Sequence, residues 1–232
     1  MNRCLILLFI GLLNTACTTS GSHDTESDKL GNELNYLAKS DIDTVADIHL
    51  QTLDGHLEAL AYKLYRRNPS HCNGGTPNID SCVTNIFIHT HQTSLQYSHK
   101  TGTEILTLCF DKAYKGDRVW AFIYGLRKML YAAYGDKAEF FITDELAPQK
   151  LYNSARNIEI AVWRLSNYRD AQGRLYLLSN GIGRGVPNLS FERLFGKMVS
   201  LQDTLAKIVA ESTKRRIKNV IQRLATAAFL PI

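Results

Sequence analysis

Apolar residues recur at steps of three and four along most of this chain. Ala46, Leu50, Leu53, Leu57, Leu60 and Leu64 form one stripe, the period of an amphipathic helix. Ser40 or Asp41 can cap it, and Asn68-Pro69 stops it. Its acids (Asp43, Asp47, Asp54, Glu58) come early and its bases (Lys63, Arg66, Arg67) late, which suits the helix dipole. A second helix is expected over Asp117 to Tyr134, with Val119, Phe122, Ile123, Leu126, Leu130 and Ala133 inward. Trp120, Tyr124 and Tyr131 make it apolar almost all round, so it belongs at the centre; Arg127 and Lys128 in its middle argue against a membrane span. A third helix is predicted with Asp144 as cap, Pro148 in its first turn and Leu151, Ala155, Ile158, Val162 and Leu165 on one stripe. Ser190 opens a short helix through Phe191, Leu194, Phe195 and Met198. The last helix is expected from Leu201 to Ala228 through Leu205, Ile208, Val209, Ile217, Val220, Ile221 and Leu224.

The segments between are less regular. Ser70 to Gly102 reads as a loop carrying a short helix near Asp80 to Ile88. Thr103 to Ala113 suits helix or strand by its apolar run, and Glu104 near its start with Lys112 near its end favours helix. Asp170 to Gly173 is a turn, Leu175 to Leu178 a strand-like piece, and Gly181 to Pro187 a flexible loop. Five or more helices and at most one short hairpin predict an all-α fold, a single helical-bundle-like domain over residues 40–232.

The N-terminus differs in kind. Arg3 precedes an apolar run, Cys4 to Leu13, of the length of a signal-peptide core and too short to span a bilayer. Asn14, Thr15 and Ala16 lead to Cys17, and small polar residues follow. This resembles a bacterial lipoprotein signal with its lipobox, except that Leu13 stands one place before the position, here Asn14, where that pattern prefers leucine. The resemblance implies a signal peptide over 1–16, lipidation of Cys17 and an acylated amine. Together these give a membrane anchor held by more than one chain. Thr18 after the cysteine resembles the outer-membrane sorting class, which places the protein on the periplasmic side of that membrane. An ordinary secretory signal cleaved near Ala16 would instead leave Cys17 as a free thiol. Residues 17–39 are polar and short of aromatics, as in a flexible tether. Lys63 to Pro69, Gly116 to Val119 and Leu151 to Ala161 also look like segments shared by proteobacterial lipoproteins, a similarity over residues 40 to 180 that implies no activity.

Composition adds exclusions. With 45% hydrophobic and 21% charged residues in 232, the chain is not a disordered tail, a collagen-like repeat or a polytopic membrane protein. An oxidising compartment permits disulfides, and Cys72 and Cys82 flank a turn-rich loop that suits their pairing. Cys109, within an apolar run, reads as a buried inert thiol.

Candidate chemistry is sparse. His71, His89 and His91, beside Cys72 and Cys82, are the donors available for a metal such as zinc, but their spacing matches no zinc module. Gly181-Ile-Gly-Arg-Gly185 lacks the Gly-Lys-Ser/Thr of a phosphate loop, and no cofactor is expected. A cell-wall-cleaving enzyme would need an acid such as Glu104 or Glu159 in a cleft; an ion pair with Arg156 accounts for Glu159 equally well. The net charge of +5 is concentrated at one end: from Lys197 onward there are seven bases and two acids. Lys214, Arg215, Arg216 and Lys218 cluster on the last expected helix as a site for an anionic lipid, lipopolysaccharide or envelope protein. The aromatic interleaving of a nucleic-acid binder is missing. The expectation is therefore a lipid-anchored, non-catalytic adaptor or structural protein of the envelope. The alternative is a metal-dependent or cell-wall-acting enzyme using residues 71–99 or an inter-helix cleft.

Overall fold

The structure is a computed structural model that describes residues 41–72, 78–88, 92–141, 144–181, 188–218, 224 and 226–232. The expected signal peptide, Cys17 and the tether lie outside the described residues. Seven α-helices occur among them: α1 (Asp41–Arg67), α2 (Ile79–Phe87), α3 (Gln92–Gln96), α4 (Gly102–Leu108), α5 (Arg118–Ala133), α6 (Pro148–Asn167) and α7 (Ser190–Thr213). A 3₁₀ turn, Pro69–His71, follows α1. Strand pairing among the described residues is limited to two isolated bridges, Arg169 with Leu175 and Gly181 with Asn188. The fold is all-α. No described helix is long and apolar enough to cross a membrane.

Helix α1 is the long stripe seen in the sequence, and Ala46, Leu50, Leu53, Leu57, Leu60 and Leu64 are all buried. It packs against α2, α5 and α7, while α6 lies along α7 and α4 along α5. Helix α5 is central: Val119 to Arg127 is buried without a break. Arg127 is accommodated there because its guanidinium makes a two-pronged pair with Asp54 of α1 (3.0 and 3.1 Å) and also reaches the Tyr131 hydroxyl. Such a pair fixes how α1 and α5 face each other more than it adds net stability.

Two glycines bring α4 and α5 into backbone contact. A Cβ on Gly125 would sit 2.7 Å from the Leu106 nitrogen, and one on Gly102 2.2 Å from the Met129 nitrogen. Helix α4 starts with a capping box in which Thr101 accepts from the Glu104 amide and Glu104 accepts from the Thr101 amide.

Several expected boundaries move. Asp144 does not cap α6; Ala147 holds that position without a side-chain bond. Asp144 instead accepts from the Phe141 amide and pairs with Lys137. The segment expected as a helix over Thr103 to Ala113 is helical only to Leu108, because the carbonyls that follow are claimed by Arg118. Helix α3 was not anticipated.

The largest correction concerns the C-terminal region. The short helix at Ser190 and the start of the last one are a single continuous helix, α7, since nothing at Ser200-Leu201 breaks the period. That helix ends at Thr213 rather than Ala228. Ser212 and Thr213 turn their hydroxyls back onto the Val209 carbonyl, and Lys214 adopts a left-handed conformation. Beyond it, Gln149 of α6 takes over backbone bonding that a helix would have supplied. Its amide accepts from the Lys218 N–H at 2.7 Å and donates to the Lys218 carbonyl at 3.2 Å.

The same device recurs further on. Asn157, wholly buried, accepts from the Leu230 N–H at 2.6 Å and donates to its carbonyl at 2.9 Å. Asn153 donates to the Pro231 carbonyl and Arg164 to that of Ala227. Spacings of four and seven put these three side chains on one face of α6.

Candidate functional site

A cavity of about 690 Å³ opens where α1 ends. Three pieces of chain meet there: the 3₁₀ turn with Ser70 and His71, the loop between α4 and α5, and the loop after α6. Asn68 holds the first to the last. Its side-chain amide caps the Leu64 carbonyl, donates to the Leu178 carbonyl at 2.9 Å and accepts from the Leu178 N–H at 2.8 Å. The strand-like piece expected at Leu175 to Leu178 is thus fixed by an asparagine, with only the Arg169–Leu175 bridge as strand pairing.

Each loop is folded by its own aspartate. Asp111 accepts from the Ala113 N–H, setting the turn that carries Lys112 and Lys115. Asp170 accepts from the amides of Gln172 and Arg174 and pairs with the Arg174 guanidinium at 2.9 Å. These bonds hold the Asp170 carboxyl below the ordinary range, the Arg174 amide contributing most.

The floor is Arg118. Its two terminal nitrogens donate to the carbonyls of Leu108, Cys109, Asp111 and Tyr114, at 3.4, 2.6, 2.9 and 2.9 Å. The guanidinium also lies 4.5 Å from the centre of the Tyr176 ring. It therefore closes α4, shapes the lysine loop and leaves a positive charge beneath the cleft.

The lining thus carries Lys112, Lys115, Arg118 and Arg174 against the one acid Asp170, which is already committed to Arg174. Lys112 and Lys115 are exposed. Burial, and to a lesser extent Arg118, push the His71 pKa down, so the neutral imidazole is favoured.

A second cavity, about 260 Å³, lies on the other side of the same loop, lined by Tyr65, Tyr97, Tyr114, Asp117 and Trp120 among others. Asp117 caps α5 by accepting from the Trp120 amide, and its other oxygen accepts from the Tyr65 hydroxyl at 2.6 Å. Burial raises its pKa from 3.8 to about 6, against the pull of those bonds. Both oxygens are occupied, and Asp117 is the one carboxylate in the lining, where glycoside hydrolysis calls for two. Glu104 is spent on its capping box, and Glu159 pairs with Arg156, which also binds Asp203.

The sequence-derived candidates fall as follows. Cys72 and Cys82 are joined in a disulfide, which withdraws both thiolates from metal binding. Cys109 is a buried free cysteine, its thiol pushed up by burial. His71 stands in the basic cleft; His89 and His91 lie outside the described residues, as does most of the Gly181 to Pro187 loop. Among the described residues no three His, Cys, Asp or Glu side chains converge.

Lys214, Arg215, Arg216 and Lys218 are exposed but do not share a helix face, because α7 has ended. Arg215 is paired with Glu145 at 2.7 Å. The cleft cations were not singled out in advance. The available signal was the density of bases in two turn-forming stretches, Asp111-Lys-Ala-Tyr-Lys-Gly-Asp-Arg118 and Asp170-Ala-Gln-Gly-Arg174.

The chain matches no known protein family, no curated protein and no solved structure.

Proposed function

We propose that this protein is a lipid-anchored lipoprotein of the outer membrane, facing the periplasm, that holds an anionic partner without turning it over. The observation that carries the binding part is the basic cleft, whose only acid is already paired. An anion there would meet two lysines and a fixed positive floor, in a concave site where a field acts more strongly than on a flat surface. The anchor rests on the lipobox-like sequence ending at Cys17. The cell-wall enzyme alternative would fall to Asp117, and capping α5 is sufficient reason for that residue to be there.

The binding part is tested by crosslinking in intact envelopes, comparing the native protein with Lys112→Ala/Lys115→Ala. Loss of the principal crosslinked species is expected, and an unchanged pattern would refute the proposal. Palmitate incorporation that disappears in Cys17→Ser is expected for the anchor; unaltered incorporation would remove it.

A further inference from the structure

We infer that the basic cleft recognises a phosphate monoester carried on a saccharide-sized body. This rests on the cleft being the site of the anionic partner and names that partner's chemistry. The first ground is which donors remain uncommitted. A planar carboxylate is best met by the fork of a guanidinium, through two parallel N–H bonds. Arg118 has spent its terminal nitrogens on four carbonyls, and Arg174 has spent its Nε–Nη2 edge on Asp170 and keeps only its Nη1 side toward solvent.

The full positive charges that no acid in the lining pairs are chiefly the two ammonium groups, Lys112 and Lys115. Each is a point charge with three rotatable donors. That set fits the several outward oxygens of a tetrahedral phosphate, which separate lysines can approach from different sides, better than the flat edge of a carboxylate. With Arg118 beneath, and Arg174 balanced by Asp170, the local excess of positive charge calls for a ligand with more than one negative charge. A phosphate monoester, at about −1.5 to −2 near neutral pH, supplies it.

The second ground is size and surface. A volume of about 690 Å³ far exceeds what a bare phosphate fills and leaves room for an anion that carries a body. The lining also includes Tyr176, Leu175 and Leu178, with the polar Ser70 and Asn68. The Tyr176 ring is held by Arg118 at 4.5 Å and is half-buried. An aromatic face and an aliphatic patch beside polar side chains suit a sugar ring, which is apolar on its faces and hydroxylated at its rim. A free phosphosugar and the phosphorylated sugar head of a glycolipid share this chemistry.

The test is titration calorimetry on the full chain in detergent. The probes are glucose 1-phosphate, glucuronate, glucose, inorganic phosphate and micelles doped with lipid A, whose head is a phosphorylated glucosamine disaccharide. Glucose 1-phosphate or lipid A is expected to bind more tightly than inorganic phosphate, and glucuronate and glucose at least about tenfold more weakly. Lys112→Gln and Lys115→Gln should each weaken binding by about tenfold or more, the worth of one charge-assisted contact. Both lysines are exposed, so the variants keep the fold, and unchanged melting checks this. Binding of glucose 1-phosphate points to a soluble source and binding of lipid A alone to a membrane source; either supports the inference. Glucuronate binding as tightly as glucose 1-phosphate, no binding by any phosphate probe, or unchanged binding by both variants overturns it. If the phosphate probes fail while Lys112→Ala/Lys115→Ala still loses its envelope crosslink, the ligand class is wrong and the anionic-partner proposal stands. If that crosslink also persists, both fall.

Discussion

The molecule has two basic regions that look alike in composition and differ in what surrounds each charge. In the C-terminal segment, Lys214, Arg215, Arg216 and Lys218 follow the end of α7 in open solvent, and Arg215 is paired with Glu145. In the cleft, Lys112 and Lys115 sit on a turn folded by Asp111, above a guanidinium bound to four carbonyls and facing a second turn folded by Asp170. Charge density along the sequence favours the first region, whereas concavity and fixed backbone favour the second. Exposed charges more than about 10 Å apart are screened at ordinary salt, while a concave site retains its field. Clustering of bases in the sequence is therefore a poor guide to where a concave basic site forms.

The sharpest way to break the comparison is to remove the cleft floor. Arg118→Ala should cost about 4 kcal/mol in urea unfolding, since partly buried carbonyls lose their donor and Tyr176 loses its stacking partner. Arg118→Lys should recover little of it, because an ammonium cannot reach all four carbonyls. A loss under about 1 kcal/mol would mean that the loop is held by something else.

Next comes acid response beneath the same loop. The Asp117 carboxyl is raised from 3.8 to about 6 in the folded protein, so the folded state holds its proton more tightly than the unfolded chain. Its penalty is present in full above about pH 6 and gone below about pH 4, so this group makes stability rise as pH falls through that window. The size is roughly 3 kcal/mol, a tenfold change in proton affinity being worth about 1.4 kcal/mol. Asp117→Asn keeps an N-cap and should flatten this part of the profile; an unaltered difference between pH 4 and 7 would contradict the assignment.

Asn68→Ala should cost about 2 kcal/mol, because both backbone groups of Leu178 lose their partner, while the Leu64 carbonyl keeps the backbone N–H of residue 68. Amide exchange should quicken over residues 169–178 and not over residues 227–231, which Asn157 holds. Quickening of both would mean that the two asparagine clamps are coupled. For the exposed pair, Glu145→Gln should change stability by under about 1 kcal/mol, and any larger loss would promote the C-terminal segment to a structural role. Smallest of all, Lys112→Gln and Lys115→Gln should stay within about 0.5 kcal/mol in melting, as should Arg216→Gln and Lys218→Gln. The cleft pair alone should affect anion binding.

Helices α1 and α5 were legible because their apolar residues repeat over many turns, and a long period averages out local exceptions. The end of α7 was not. Ile217 keeps the helical rhythm, yet the chain has left the helix by Lys214, and Gln149, more than 60 residues away, bonds the backbone of Lys218 instead. Competition from distant side chains leaves no mark on local periodicity. The cleft was hidden for a related reason: His71 and the loop of Arg174 are brought to one cavity through Asn68, which in the sequence reads only as a helix stop. Cys72 and Cys82 were easier, since a sequence separation of ten already keeps them near each other.

The glycine contact between α4 and α5 bears on how a ligand would be received. Gly102 and Gly125 let the two helices meet backbone to backbone, with the Met129 and Leu106 nitrogens the nearest atoms to where each Cβ would stand. The loop bearing Lys112 and Lys115 leaves from the end of α4 and returns at the start of α5, so both its ends are rooted in one stiff plate. An incoming anion then meets lysines whose backbone is already in place. The entropy of ordering that loop has been met during folding rather than at the moment of capture, and preorganisation of this kind raises affinity without adding a contact.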